Sequence, residues 1–316
     1  MRDTRWPTTY RPALAAAALG ALGVLGALGA LGALGALGAQ PAVQGVQGVH
    51  VQPVAAAPAA PVVNGPPFGV GERLTFRTRV ARFGEIGNGT MWIEGPADVR
   101  GQSTYRLHFD FDTRVGLVRV TNRTESWLDA HDPRRLRALR FHKHERQPLS
   151  KHDQRVELYP DERRWDAADG SAGTLATDAP LDELSYLYFI RTLPLAIDSV
   201  YRFDRHFEAE RNPTTVRAVG REPVVTPAGT FQTLLVEMRV RDARHYKGDG
   251  VLWINLTDDA CRIPVRIQSR MPVVGATVLT LQSHNHTADH GGVVHGGVVH
   301  GGVAPGVVAH AGSGAP

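Results

Sequence analysis

Between positions 71 and 282 apolar residues recur at every second position, in short runs cut by turn-forming residues. Leu74, Phe76, Thr78 and Val80 alternate with Arg73, Thr75, Arg77 and Arg79. Tyr105, Leu107, Phe109 and Phe111 alternate with Arg106, His108, Asp110 and Asp112. Leu234, Val236, Met238 and Val240 face away from Glu237, Arg239 and Arg241; Ile263, Val265 and Ile267 repeat the alternation, and 276–282 is a further apolar run. Successive side chains of a strand point to opposite faces, so each run predicts a strand with one dry face and one wet face. Strands of that kind belong to an antiparallel sheet packed on one side. Gly87-Asn88-Gly89 predicts a hairpin turn ahead of a strand over 90–94. Asp132-Pro133, Thr226-Pro227-Ala228-Gly229 and Gly248-Asp249-Gly250 predict further turns.

One stretch, 180–193, is spaced for a helix instead. Leu184, Leu187, Tyr188 and Arg191 fall on one face. Asp178 is placed to cap it, Pro180 suits its first turn, Asp182 and Glu183 suit its positive end, and Pro194 stops it. The expected fold is mainly β: a large curved antiparallel sheet, an open or half barrel, with one inserted helix near 180–193.

The flanks differ in kind. Residues 12–39 are an uncharged Ala-Leu-Gly run behind Arg2, Arg5 and Arg11. A basic start, an apolar stretch and small residues at Ala36, Gly38 and Ala39 predict a secretory signal over 1–39, cleaved after Gly38 or Ala39. The rival is an uncleaved anchor in the inner membrane, because a run of this length can span a bilayer. That segment is the only membrane association expected. Residues 40–67 read as a Pro/Ala/Gln-rich disordered spacer, 68–282 as a single β domain, and 283–316 as a disordered His/Gly-rich tail.

Charge and cysteine narrow the class. The formal net charge of +4 divides into +2 for the leader, +3 for the β domain and −1 for the tail. Nucleic-acid binding, which needs a concentrated basic face, is not expected. Cys261 is the single cysteine, so an exported chain has no internal disulfide and holds by burial. It reads as a small buried hydrophobe rather than a reactive thiol.

Gly71-Glu72-Arg73-Leu74-Thr75-Phe76, Ser185-Tyr186-Leu187-Tyr188 with Arg191, and Thr226-Pro227-Ala228-Gly229-Thr230 follow one another in an informative order. Trp253-Ile254, Asp258-Asp259, Arg262 and Pro264-Val265-Arg266-Ile267 complete it. In that order the segments resemble the bacterial exported domain-of-unknown-function family DUF3108, over roughly 68–282. The resemblance implies a large, curved, mainly antiparallel β domain in the cell envelope, periplasmic or otherwise exported. It brings no catalytic residues. The shape is also similar to that of periplasmic lipoprotein carriers, which is an analogy of fold alone.

Several residue sets invite chemistry. Leu74, Phe76, Phe109 and Phe111, with Tyr188 and Arg191 from the helix, would line an apolar cavity able to shelter a lipid or lipoprotein segment. Arg140, His142, His144 and Arg146 share one strand face, opposite Leu139 and Phe141, and would bind an anion such as a lipid headgroup or acidic glycan. His284, His286, His290, His295 and His300 could gather a metal ion on the flexible tail. An envelope hydrolase would use Asp258, Asp259 or a His, but neighbours on a strand point apart, so the two aspartates read as a turn with Asp259 paired to Arg262 or Arg266. Asn122 and Asn255 begin two of four Asn-x-Thr sequons. No phosphate-cradling Gly loop, His-Glu-x-x-His or paired-Cys motif occurs in the sequence, and no cofactor is expected. The reading is a non-catalytic binding or carrier domain for an apolar or lipid-like ligand. The alternatives are a hydrolase, or an assembly module pairing with an envelope protein through its sheet edges.

Overall fold

The computed structural model describes residues 65–285, excepting 116, 117, 133, 134, 148, 149, 242–248 and 272–274. Its first half is a meander: β1 (Arg73–Val80), β2 (Gly84–Val99), β3 (Gln102–Val115), β4 (Val118–Asp129), β5 (Arg137–Gln147), β6 (Ser150–Tyr159), β7 (Arg164–Ala167) and β8 (Ala172–Thr174). Helix α1 (Glu183–Phe189) follows. The second half is β9 (Val200–Phe203), β10 (Thr214–Thr226), β11 (Gly229–Arg241), β12 (Asp249–Thr257), β13 (Pro264–Met271) and β14 (Gly275–His284). All fourteen strands form one antiparallel open sheet, in the order β8 to β1, then β14 back to β9. Among the described residues the fold is mainly β with one short α-helix, as expected.

Alternation accounts for the packing. Leu74, Phe76, Thr78 and Val80 are wholly buried, while Arg73, Arg77 and Arg79 are exposed. Leu107, Phe109, Phe111, Val236, Met238, Ile254, Ile267, Leu279 and Leu281 join them in one core, against Leu184, Leu187 and Tyr188 of α1. A buried side chain of this size contributes roughly 1.5–3 kcal/mol. Every residue of α1 is buried, so the helix is an internal plug on the concave face. A smaller cluster beside β5 to β7 holds Phe141, Val156, Leu158, Leu175 and Phe207, with Trp165 packed on it.

Several local expectations change. The turn between β1 and β2 lies at 81–83, and Gly87-Asn88-Gly89 sits inside β2 opposite Thr113, Asp112 and Phe111. Those glycines serve close approach, not reversal: a Cβ on Gly87 would lie 3.0 Å from Thr113 Oγ1, and one on Gly89 3.2 Å from the Phe109 ring. The helix begins later than expected. Asp182 caps it, accepting from Leu184 N and Ser185 N at 2.9 Å each, while Ser185 Oγ accepts from Asp182 N at 2.9 Å. Asp178 instead pairs with Arg135. Pro180 is extended into a sheet-like contact, its carbonyl accepting from Ala138 N at 2.8 Å. After Phe189 the chain tightens into a 3-10 turn, Ile190–Thr192, and Leu193 becomes extended ahead of Pro194.

Leu139 does not share a face with Phe141. A bulge opposite Trp127 and Leu128 turns it to the outer side, where it packs with Val99 and Trp127. Asp259 pairs with neither arginine: its Oδ1 accepts from Cys261 N, Arg262 N and Thr257 Oγ1 and shapes the turn. Arg266 pairs with Glu222, and Asp258 with Arg221 at 2.6 Å.

The fold also reaches past both expected boundaries. Pro66 is buried and Pro67 O accepts from Arg191 at 2.8 Å. Arg73 N donates to Asn285 Oδ1 at 2.7 Å, and Asn285 N returns a bond to Arg73 O at 3.1 Å. The leader, most of the spacer, and His286, His290, His295 and His300 lie outside the described residues. His284 ends β14, edge-on to Phe231.

Candidate functional site

The convex face of β2 to β6 carries charged side chains in cross-strand rows, because strand register places every second residue of neighbouring strands side by side. One row runs Trp92, His108, Glu125, His142 and Arg155. The next runs Thr90, Asp110, Arg123, His144 and Asp153, and a third Asn88, Asp112, Thr121, Arg146 and Lys151. Two hollows open along these rows. One, of about 510 Å³, is bordered by Trp92, Glu94, Arg106, His108, Glu125 and His142, among others. The other, of about 440 Å³, is bordered by Arg119, Thr121, Arg123, His144 and Arg146.

The first hollow pairs most of its own charges, although the buried Nε of Arg106 makes no hydrogen bond among the described residues. His108 is stacked on Trp92 with ring centroids 4.4 Å apart, and Arg73 covers the indole as well. Each ring nitrogen of His108 faces a carboxylate, Glu94 at 3.1 Å and Glu125 at 3.3 Å. The hydrogen bond from His108, with Arg106 adding to it against the cost of burial, holds Glu125 down to about 2. Burial raises the Asp110 carboxyl and lowers the His142 imidazole. His142 also lies edge-on to Trp127, which Arg106 and Arg140 flank.

The second hollow is less balanced. Arg119 is bound by Asp112, and Arg123 lies 3.7 Å from Asp110. His144 Nδ1 lies 3.5 Å from Asp153, and its Nε2 accepts from Arg146 Nε at 2.8 Å. Arg146 has no carboxylate partner among the described residues. The expected anion face is therefore brought together: Arg140, His142, His144 and Arg146 share the outer side of β5, with Arg119 and Arg123 joining from β4. Arg140 is drawn aside to Glu157.

The expected cavity lining lies elsewhere, on the concave side. Leu74, Phe76 and Tyr188 have 0% of their surface accessible, and Phe109 and Phe111 2%. A side chain with no accessible surface touches no space large enough for a water, so no acyl-sized cavity opens against Leu74, Phe76 or Tyr188. Arg191 is a latch in this core. Its guanidinium donates to both Glu72 oxygens at 2.7 and 2.8 Å, to Pro67 O, and to Cys261 O at 3.0 Å. Asp258 and Asp259, each held by its own partner, share no common point of attack. Among the described residues no three His, Cys, Asp or Glu are gathered to hold a metal ion.

Sequence reasoning missed a buried polar network beneath α1. Lys143 is fully buried, its Nζ 2.9 Å from Glu183 and 3.6 Å from Glu145. Asn122 donates to Glu145 at 2.7 Å, and Ser126 to Asp182 at 2.6 Å. Burial works against the Lys143 charge, yet Glu183 and Glu145 hold the ammonium above its ordinary value. Burial likewise opposes ionisation of Glu183, but Lys143, Arg211 and His206 bring it to about 2. Asp182 is pushed up by burial to about 7 despite its hydrogen bonds. The available signal was Lys143 and Glu145 falling in phase with Phe141 on β5. Asn122 and Asn255 are buried as well, which removes them from glycosylation in the folded chain.

The chain is similar to a β-barrel-like protein of the domain of unknown function DUF1849 from Brucella abortus, with 12% identity, a TM-score of 0.46, and coverage of 68% of this chain and 97% of that one. It is similar to a Bacteroides fragilis protein inferred to be exported and of YmcC-like fold, with 12% identity, a TM-score of 0.27, and coverage of 70% and 99%. A Parabacteroides distasonis protein inferred to be a lipoprotein shows 9% identity, a TM-score of 0.27 and the same coverage. No curated protein matches the chain. The model of DUF3108, described as a protein of unknown function, matches residues 73–282, the span from the first residue of β1 into β14, and the chain belongs to that family.

Proposed function

We propose that the protein is an exported, non-catalytic binding module that takes an anionic headgroup on the convex face of β4 and β5. The observation that carries the reading is the hollow bounded by Arg119, Arg123, His144 and Arg146, in which Arg146 has no carboxylate partner among the described residues. Guanidinium groups match phosphate oxygens in a planar, two-pronged geometry, and Thr121 adds a hydroxyl. Export rests on the leader, whose basic start and apolar run suit translocation. The spacer would hold the domain off a membrane surface or let it reach one. An anionic ligand is favoured over a buried apolar one because the concave side is occupied by α1 and its packing partners.

Co-sedimentation with vesicles tests this. Binding is expected to phosphatidylglycerol vesicles and not to phosphatidylcholine vesicles, to weaken with added salt, and to fall several-fold in Arg146→Ala. Competition by glycerol phosphate would identify the headgroup as the ligand, and competition by inorganic phosphate alone would identify a free anion. Equal binding to both vesicle types, or an Arg146→Ala chain that binds as well as the parent, would overturn the proposal.

A further inference from the structure

The second half of the sheet carries a hollow of a different chemistry. On the convex side of β12, Trp253 lies between Glu237 of β11 and Gln268 of β13. With Glu222, Leu235, Asn255 and Arg266 it borders a recess of about 230 Å³. That is below the usual size of a drug-like pocket and suits a single ring.

Trp253 differs from the other described tryptophans. Trp92 is covered by His108 and Arg73, Trp127 by Arg106, Arg140 and His142, and Trp165 by Phe207. Trp253 is part-exposed and, among the described residues, its ring meets no aromatic or cationic partner and its indole N–H makes no hydrogen bond. The polar groups beside it are fixed in place. Arg266 donates to Asn255 Oδ1 at 3.0 Å and to Glu222 Oε1 at 2.9 Å. Asn255, only 2% exposed, donates to Glu222 Oε1 at 2.8 Å and to Thr233 Oγ1 at 3.0 Å.

This network leaves capacity unused on the recess side. Glu222 Oε2, Arg266 Nη1 and the Gln268 carboxamide make no hydrogen bond among the described residues. They supply an acceptor, a donor and one group that is both, beside a flat apolar ring. Glu222 and Arg266 cancel in charge, so the recess favours a neutral ligand, unlike the arginine-lined hollow of the first half. A pyranose meets all three conditions: it has an apolar C–H face to lie on the indole, vicinal hydroxyls that donate and accept, and no net charge.

We infer that Trp253, Gln268, Arg266 and Glu222 form a binding site for one neutral sugar ring, separate from the anion-binding face. Saturation-transfer NMR on the full chain tests it, using methyl glucoside, methyl galactoside and N-acetylglucosamine, with glucuronate and inorganic phosphate as charged comparators. Transfer is expected to the ring protons of at least one neutral sugar. Trp253→Ala should weaken binding about tenfold, a difference of about 1.4 kcal/mol. Gln268→Ala, which removes only the carboxamide, should weaken it less while leaving thermal unfolding and vesicle binding unchanged. No transfer to any neutral sugar, stronger binding of glucuronate or phosphate, or unaltered binding in both variants would overturn the inference.

Discussion

Lys143 stands where the alternation of β5 calls for a hydrocarbon, and its ammonium is the counter-charge for two buried glutamates. Breaking a buried pair leaves a charge that neither water nor protein solvates, at a cost of about 3–5 kcal/mol. Lys143→Met is accordingly expected to lower stability by about that amount, measured by urea unfolding at pH 7. Replacing Glu183 by Gln in the same chain should recover part of the loss. The neighbouring acids make stability depend on pH in opposite directions. Glu183 is held at about 2, against an ordinary 4.5, so its contribution is full above 4.5 and is lost as pH falls towards 2. Asp182 is raised to about 7 from 3.8, so its contribution is full below 3.8 and is lost as pH rises through 7. Asp182→Asn keeps a side-chain oxygen to cap α1 but cannot ionise. Calorimetry should show that this variant loses the decline in Tm between pH 4 and 7.

Single strands show the same physics through space rather than charge. A Cβ on Gly173 would lie 2.6 Å from Trp165 Nε1, because β8 passes directly over the indole that covers Phe207. Gly173→Ala must push β8 off β7 or tilt Trp165 out of the smaller cluster, costing about 1–3 kcal/mol. Hydrogen exchange should quicken across 164–174 while β11 to β13 are untouched. Gly220→Ala makes the control: nothing lies within 4 Å of its Cβ and no loss is expected. These contrasts explain which parts of the chain were legible. β1, β3 and β11 have one apolar phase and one polar phase, so period two declared them. β5 has charge on both faces, Arg140 to Arg146 outside and Lys143 with Glu145 inside, so past Phe141 its inward phase carried no hydrophobic signal. Gly87 and Gly89 resemble a turn because a turn and a close strand crossing ask for the same missing Cβ. For α1, Asp178 and Asp182 are both competent caps. The choice fell to Asp182 because 179–181 is drawn into contacts with Ala138, Arg205 and Phe207. The basic outer face of β5 could be read from its own sequence, but Arg119 and Arg123 come from another strand, and only strand pairing brings them in.

The sheet as a whole depends on one seam. β1 to β8 form one meander and β9 to β14 another, and the ladder between β1 and β14 joins them, from Leu74 opposite His284 to Val80 opposite Thr277. The first and last strands are thus neighbours, and the chain must be nearly complete before either half has its inner edge covered. One further tie crosses the seam, Arg73 with Asn285, and Ala228 N with Leu281 O at 3.4 Å braces β14 from within its own half. A chain ending after Asn285 keeps every one of these contacts and should unfold at the same temperature as the full chain. A chain ending after residue 274 lacks β14, so β1 and β13 each lose a ladder and Leu279 and Leu281 leave the core. Two buried leucines alone represent roughly 3–6 kcal/mol, a large part of an ordinary folding free energy. The shorter chain is therefore expected to lose cooperative unfolding altogether, with circular dichroism and aggregation as the measurements. A sharp transition in that chain would mean that each meander folds alone, and that β14 is an addition to the sheet rather than its seam.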